Sequence, residues 1–193
     1  MKKLNELLAD VRVRSVCGDM DKEVLHVHFD SRKVESGDLF VAQRGVNVDG
    51  HAFISKAIGA GCCAVVCEEL PQEMSDNVTY IVVEDSSEAL GNIASNYYGR
   101  PSLKMKLVGV TGTNGKTTTA TLLYEIARLA GYKAGLLSTV CNYIGDDKIA
   151  STHTTPDALS INEYMYQMVE AGCKYCFMEV SSHSIHPKRI AGL

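Results

Sequence analysis

A chain of 193 residues can bury one large core or two small ones, and 46% apolar with 22% charged residues is the balance of an ordinary globular protein. Lys+Arg 19 against Asp+Glu 23 gives a net charge of −4 with no run of five like charges, which argues against a nucleic-acid or membrane-surface partner. No stretch reaches the ~18 apolar residues of a membrane span, and the charged start, Met1 to Asp10, is not read as a signal peptide.

The first half predicts a small α/β domain. A short helix is expected over residues 2–9. A strand follows with Leu25, Val27 and Phe29 on one face, then another over 39–42. Residues 51–60 read as helix ending at Gly61, with strands at 62–67 and 79–84. A helix from Ser87 to Tyr98 carries Leu90, Ile93, Ala94 and Tyr97 on one side. The joint is expected at 99–106, giving domains 1–98 and 107–193.

The second half repeats a parallel βα logic. It predicts strand 107–111, helix 116–130, strand 134–139, an excursion around Tyr143 to Lys148, helix 157–171 and strand 174–180. Thr155 before Pro156 reads as the start of a helix, since proline suits the first helical position. Helix 116–130 is expected to bury Ala120, Leu123, Ile126, Ala127 and Ala130. Three parallel strands are thin for an independent nucleotide domain, so the chain reads as the first part of a longer protein.

The residues from Gly112 to Thr118, Gly-Thr-Asn-Gly-Lys-Thr-Thr, stand at a strand-to-helix junction and carry the strongest chemical signal. Gly112 and Gly115 let backbone N–H groups curl toward a phosphate, and the positive end of the helix faces the same point. Lys116 can reach β- and γ-phosphates, and the Thr117 hydroxyl can ligate Mg²⁺. Val110 stands where the usual G-x-x-x-x-G-K-[ST] pattern has its first glycine. In an open parallel sheet, Thr154, Thr155 and the stretch Glu179 to Ser182 should face the same crevice beyond the carboxyl ends of the strands.

Glu179 at its strand end is placed to hold Mg²⁺ near Thr117; the alternative is a solvated carboxylate. His183 and His186 with Glu179 could bind zinc, or make local hydrogen bonds or a substrate contact. Arg189 is either an anion clamp or a surface charge. In the first half Ser31, Arg32, Asn47 and His51 could bind an anionic group such as a diphosphate, or could simply be turn residues. Seven cysteines, at 17, 62, 63, 67, 141, 173 and 176, read as core thiols of a reducing cytoplasm, with neither disulfides nor zinc expected on them. Cys173 and Cys176 are expected on opposite faces of one strand.

Five ordered stretches resemble the Mur ligases, ATP-dependent amide-forming enzymes of peptidoglycan synthesis. They are Asp30 to Arg32 with Gly37 to Ala42, Asp49 to His51, Thr111 to Thr118, Thr154 to Pro156, and Glu179 to His183 through Arg189. The Val110 departure is normal for this family. The resemblance covers essentially the whole chain. It implies a UDP-substrate-binding α/β domain followed by the first part of a phosphate-loop, mostly parallel-sheet ATPase domain.

The resemblance also implies roles. Gly112, Thr113, Asn114, Gly115, Lys116, Thr117 and Thr118 would bind ATP, with Lys116 on the transferred phosphate and Thr117 and Glu179 on Mg²⁺. Ser31, Val46, Asn47 and Val48 would meet the uridine diphosphate part of the substrate. His153, Thr154, Thr155, Ser181 and Arg189 would hold the muramoyl-dipeptide. The implied reaction adds the third amino acid, meso-diaminopimelate or L-lysine, to UDP-N-acetylmuramoyl-L-alanyl-D-glutamate through an acyl phosphate. The protein is expected as a cytoplasmic monomer.

Pro187 stands where similar enzymes often carry a substrate-contacting Gln, and proline offers neither that side chain nor an N–H. The chain stops before the family's carbamylated lysine, its later magnesium-binding histidine, the adenine pocket and the C-terminal domain. Catalysis by these residues alone is therefore not expected. Two other readings are a non-catalytic module that binds UDP-sugar or ATP, and the relative that adds D-alanyl-D-alanine.

Overall fold

The computed structural model describes residues 1–45, 48–150, 155–182 and 188–193. They divide into two units, Met1–Tyr97 with Gly192, and Tyr98–Ala191 with Leu193. The fold is mixed α/β, and among the described residues no helix is long and apolar enough to cross a membrane.

The first unit runs β1 (Lys2–Lys3), α1 (Leu4–Leu7), β2 (Val13–Cys17), β3 (Glu23–Val24), β4 (Val27–His28) and β5 (Leu39–Val41). A 3-10 turn, Gly50–Phe53, then leads into α2 (Ile54–Gly59), β6 (Ala64–Cys67), β7 (Thr79–Val83) and α3 (Ser86–Tyr97). The sheet order is β2-β7-β6-β5-β4, parallel except for β2. All four residues of β6 are buried, as expected of a central parallel strand covered on both faces. Phe40, Val65, Cys67 and Tyr80 pack with Ile54 and Ala57 of α2. Their neighbours Leu39, Val41, Val66 and Ile81 alternate to the opposite face, and Leu90, Ile93 and Ala94 of α3 are likewise buried. Each such large apolar side chain contributes about 1.5–3 kcal/mol.

Three expectations are corrected here. The first helix shrinks to Leu4–Leu7, because Lys2–Lys3 pairs with β3 instead. Leu25 and Phe29 do not share a buried face with Val27: they are 37% and 36% exposed, since β4 is an edge strand of two residues. The strand Val13–Cys17 is a new element. All five of its residues are exposed, so it leaves no apolar alternation to read.

The second unit begins with a 3-10 turn, Pro101–Lys104. It continues through β8 (Lys106–Val110), α4 (Lys116–Leu129), β9 (Ala134–Leu137), β10 (Cys141–Ile144), β11 (Asp147–Ala150), α5 (Ala158–Glu170) and β12 (Tyr175–Glu179). The order is β11-β10-β9-β12-β8, with β8, β9 and β12 parallel. The excursion expected around Tyr143 is an antiparallel hairpin, with Gly145 at φ +61° in its two-residue turn. Leu136 and Phe177 meet α4 through Ala120 and Tyr124, whereas Leu137 and Met178 meet α5 through Ile161, Met165 and Met168. Gly135 lets α5 approach β9: a Cβ there would overlap the Met168 side chain.

Here too the sequence reading needs correction. Helix α5 falls within the expected 157–171, but its N-cap is Asp157, accepting from Ser160 N, and not Thr155. Ile126 and Ala130 are exposed, and the buried stripe of α4 is Ala120, Tyr124 and Ala127. Cys173 precedes β12 and packs in the same cluster as Cys176 rather than on an opposite face. Burial pushes the Cys176 thiol up to about 12.

Candidate functional site

Between β8 and α4 the chain turns on Gly112, φ +143°, and Gly115, φ +80°, the N-cap of α4. Nothing lies within 4 Å of a Cβ built on Gly115, so conformation rather than crowding asks for glycine there. Loop residues 111–115 are exposed. The first amides of the 14-residue helix point outward with the positive end of its dipole. Lys116 Nζ folds over the loop and donates to the carbonyls of Gly112 at 2.6 Å and Thr113 at 3.4 Å. Amides and ammonium thus converge where an oxyanion would meet both.

Strand β12 lies beside β8 with Glu179 level with Val110, which carries the Glu179 carboxylate to the loop. This carboxylate is fully buried, at 0% exposure, and is not the solvated strand end weighed above. Thr117 Oγ1 donates to Oε2 at 3.0 Å, Thr139 Oγ1 to Oε2 at 3.1 Å, and Thr139 N to Oε1 at 2.9 Å. Three donors offset the desolvation of a buried carboxylate. Thr139 was missed in the sequence; its signal was its place just past β9, at the carboxyl edge of the sheet. The 3.0 Å between the Thr117 and Glu179 oxygens matches the edge of an octahedron with bonds of about 2.1 Å, so the pair fits Mg²⁺.

Thr155, Ser181 and Arg189 are brought together beyond β12. Thr155 Oγ1 donates to the Glu179 carbonyl at 3.1 Å and accepts from Ser181 N at 3.2 Å, while Arg189 Nη1 donates to the Thr155 carbonyl at 2.9 Å. At 1% exposure Thr155 ties the strand end to the start of α5, and Ser181 and Arg189 stand nearer the surface.

In the first unit a cavity of about 470 Å³ opens where the chain leaves β4 and β5. Phe29, Asp30, Ser31, Arg32, Gln43, Gly45, Val48, Gly50, Phe53 and Lys56 line it. Two aromatic walls with two cations and a buried hydroxyl, Ser31, suit a flat ring joined to an anion. Arg32 grips Asp30 at 2.7 Å, and that hydrogen bond holds the Asp30 carboxyl down at about 2.

The Asp49-Gly50-His51 stretch proves to be scaffolding. Asp49 Oδ1 accepts from His51 N at 2.9 Å and lies 2.6 Å from His51 Nδ1, while Glu68 N donates to His51 Nε2 at 2.8 Å. Because Nε2 accepts, the ring proton sits on Nδ1 and points to Asp49. His51 therefore has no nitrogen left for an anionic ligand, and of the two readings open to it the turn role holds. Arg44 adds a second clasp, reaching Glu68 at 3.1 Å and Asp49 at 3.4 Å.

These two sites, in this order along one chain, match a known pair of family profiles. "Mur ligase family, catalytic domain" matches residues 23–98, and "Mur ligase middle domain" matches residues 110–193. The chain belongs to the Mur ligase family. It is 58% identical over 192 residues to the UDP-N-acetylmuramoyl-L-alanyl-D-glutamate–2,6-diaminopimelate ligase of Cytophaga hutchinsonii, covering 99% of this chain and 40% of that one. To the ligase of the same name from Bacteroides fragilis it is 55% identical over 191 residues, covering 99% of this chain and 39% of the relative. A solved structure of a ligase bearing that name superposes with a TM-score of 0.77 at 23% identity, over 100% of this chain and 38% of the other, and shows the shared fold. The chain thus spans about two-fifths of the length of the curated relatives it matches.

Among the Mur ligase residues singled out from sequence, Gly112 to Thr118 and Glu179 converge at the loop, and Ser31 and Val48 line the first-unit cavity. Val46, Asn47, His153 and Thr154 lie outside the described residues, as do His183, His186 and Pro187. Phe29, Gln43, Phe53 and Lys56 were missed, because a cavity lined from three separated segments has no local spacing to find.

Proposed function

We propose that these residues form the UDP-substrate-binding and ATP-binding portions of a ligase that adds 2,6-diaminopimelate to UDP-N-acetylmuramoyl-L-alanyl-D-glutamate. The observation that carries the reading is the Thr117–Glu179–Thr139 cage beside the Lys116 loop, since it joins an oxyanion cradle to a pair of oxygens spaced for Mg²⁺. The names of relatives 55% and 58% identical support the substrate and the added amino acid.

In this reading the loop amides and Lys116 hold the γ-phosphate while the D-glutamate carboxylate attacks phosphorus and ADP leaves. The incoming amine then attacks the acyl carbon and phosphate departs. Mg²⁺, held by the Thr117 hydroxyl and the Glu179 carboxylate, would supply charge neutralisation at the phosphate oxygens. Positioning and electrostatics carry such a transfer, so no nucleophile from the protein is needed. Ser31, with the loop of Val46, Asn47 and Val48, would hold the uridine diphosphate. His153, Thr154, Thr155, Ser181 and Arg189 would hold the dipeptide. The working protein is read as a cytoplasmic monomer.

The 193-residue chain by itself is expected to bind without turning over. Calorimetric titration with UDP-N-acetylmuramoyl-L-alanyl-D-glutamate, and separately with ATP and Mg²⁺, tests this. Saturable binding of both, with Ser31→Ala weakening only the first and Lys116→Ala only the second, supports the reading. A folded chain that binds neither ligand, or equal losses of both in one variant, would overturn it.

A further inference from the structure

Around the edge strand β4 and the turn before β5, two histidines close on one buried carboxylate, Asp38. His26 and His28 flank the buried Val27, so strand alternation puts both rings on the same side of the edge strand. His26 Nδ1 lies 3.1 Å from Asp38 Oδ1, and His28 Nε2 lies 3.4 Å from Asp38 Oδ2. The three ligand atoms all fall within 4.8 Å of one another. No part of the phosphate loop or the substrate cavity uses these residues.

We propose that His26, His28 and Asp38 form a binding site for a divalent first-row transition ion of the Zn²⁺ class. The two rings meet the two oxygens of one carboxylate, His26 at Oδ1 and His28 at Oδ2, so a small cation drawn between them would need only short ring movements to reach bonds of about 2.0–2.1 Å. Two imidazoles and a carboxylate are a donor set suited to zinc, and three protein ligands leave a fourth position for water. The carboxylate is already oriented: His26 N donates to Oδ1 at 3.0 Å and Glu35 N to Oδ2 at 2.8 Å, as backbone donors commonly fix metal-binding carboxylates. His26 is 60% exposed, so its ring can turn to shorten the remaining nitrogen-to-nitrogen gap. A metal here would clip the edge strand to the turn preceding β5 through residues that do not line the nucleotide cavity.

Co²⁺ is the probe, added to the 193-residue chain with Mg²⁺ in excess so that the phosphate-loop site is not counted, followed by competition with Zn²⁺. One equivalent should bind with the visible ligand-field absorption of a tetrahedral ion and without thiolate charge transfer. The latter matters because Cys63 Sγ lies 3.3 Å from the Gly37 carbonyl, next to Asp38. His26→Ala and His28→Ala should each weaken binding at least about 100-fold, the upper end of what even an indirect metal-site partner contributes. Because Asp38 also anchors two backbone amides, the two histidine variants carry the test, each with unchanged circular dichroism. Affinity kept within tenfold in either folded variant, a thiolate charge-transfer band, or no saturable binding would overturn the proposal.

Discussion

The two sites use glycine for opposite reasons. In the first, Gly50 is required by contact, because a Cβ there would stand 2.6 Å from the Gln43 carbonyl oxygen and 2.8 Å from its amide nitrogen. In the second, Gly112 and Gly115 are required by conformation, with positive φ and almost nothing nearby. The first site is therefore part of a packed scaffold, clasped by His51, Arg44 and Glu68, while the second is an open loop held at its ends by α4 and Glu179. Mutations in the clasp around the first should register as lost stability, and mutations in the loop of the second as lost chemistry.

The largest contrast is expected at Lys116. Among the described residues its ammonium touches only carbonyls of its own loop, so Lys116→Ala in the whole protein should lower ADP release by at least about 10²–10³-fold, the scale of one preorganised donor. The thermal midpoint should stay at the wild-type value. A large drop in that midpoint would mean the loop is structural after all, and undiminished turnover would remove Lys116 from the chemistry.

A smaller pair of effects compares the glycines directly. Gly50→Ala pushes against backbone that cannot rotate away and should cost about 2–4 kcal/mol, at or above the usual range for overpacking. Gly115→Ala meets open space and should cost only about 1–2 kcal/mol, the penalty of a left-handed residue with a Cβ. Urea unfolding of the two variants of this chain measures both. Equal losses would erase the distinction between contact and conformation.

That distinction also explains what could be read in advance. The phosphate loop was legible because glycines, lysine and threonine act within seven consecutive residues, and because a strand and an amphipathic helix bracket them. Glu179 was legible as the end of an apolar strand, but its donor Thr139 lies 40 positions away and is supplied by the sheet order β9-β12-β8. In the first unit Ser31 belongs to a recognisable stretch, while Phe29, Gln43, Phe53 and Lys56 converge only through the parallel pairing of β4, β5 and β6. The helix periodicity misled where Ile126 is 61% exposed, since an apolar residue on a helix does not reveal whether a neighbour covers it. His51 misled for another reason: a motif histidine near a cavity can serve the backbone, and only the Glu68 amide reveals that.

The smallest effect tests whether the scaffold of the first site extends to its rim. Arg32 hydrogen-bonds Asp30 through both side chain and backbone, lowering that carboxyl from 3.8 to about 2. A depressed carboxylate contributes stability that is present in full above the unfolded value near 3.8 and is lost as the pH falls through about 2. The Asp30–Arg32 clasp should thus persist at pH 3 and open only in stronger acid. Because Arg32 is 78% exposed, solvent and salt screen the pair, so the shift should matter for loop geometry more than for global stability. Carboxyl-carbon NMR titration of Asp30 reads it directly, and Arg32→Ala should return the midpoint toward 3.8. A midpoint unmoved by that substitution would place the cause elsewhere in the loop and leave the rim of the cavity as open as the phosphate loop.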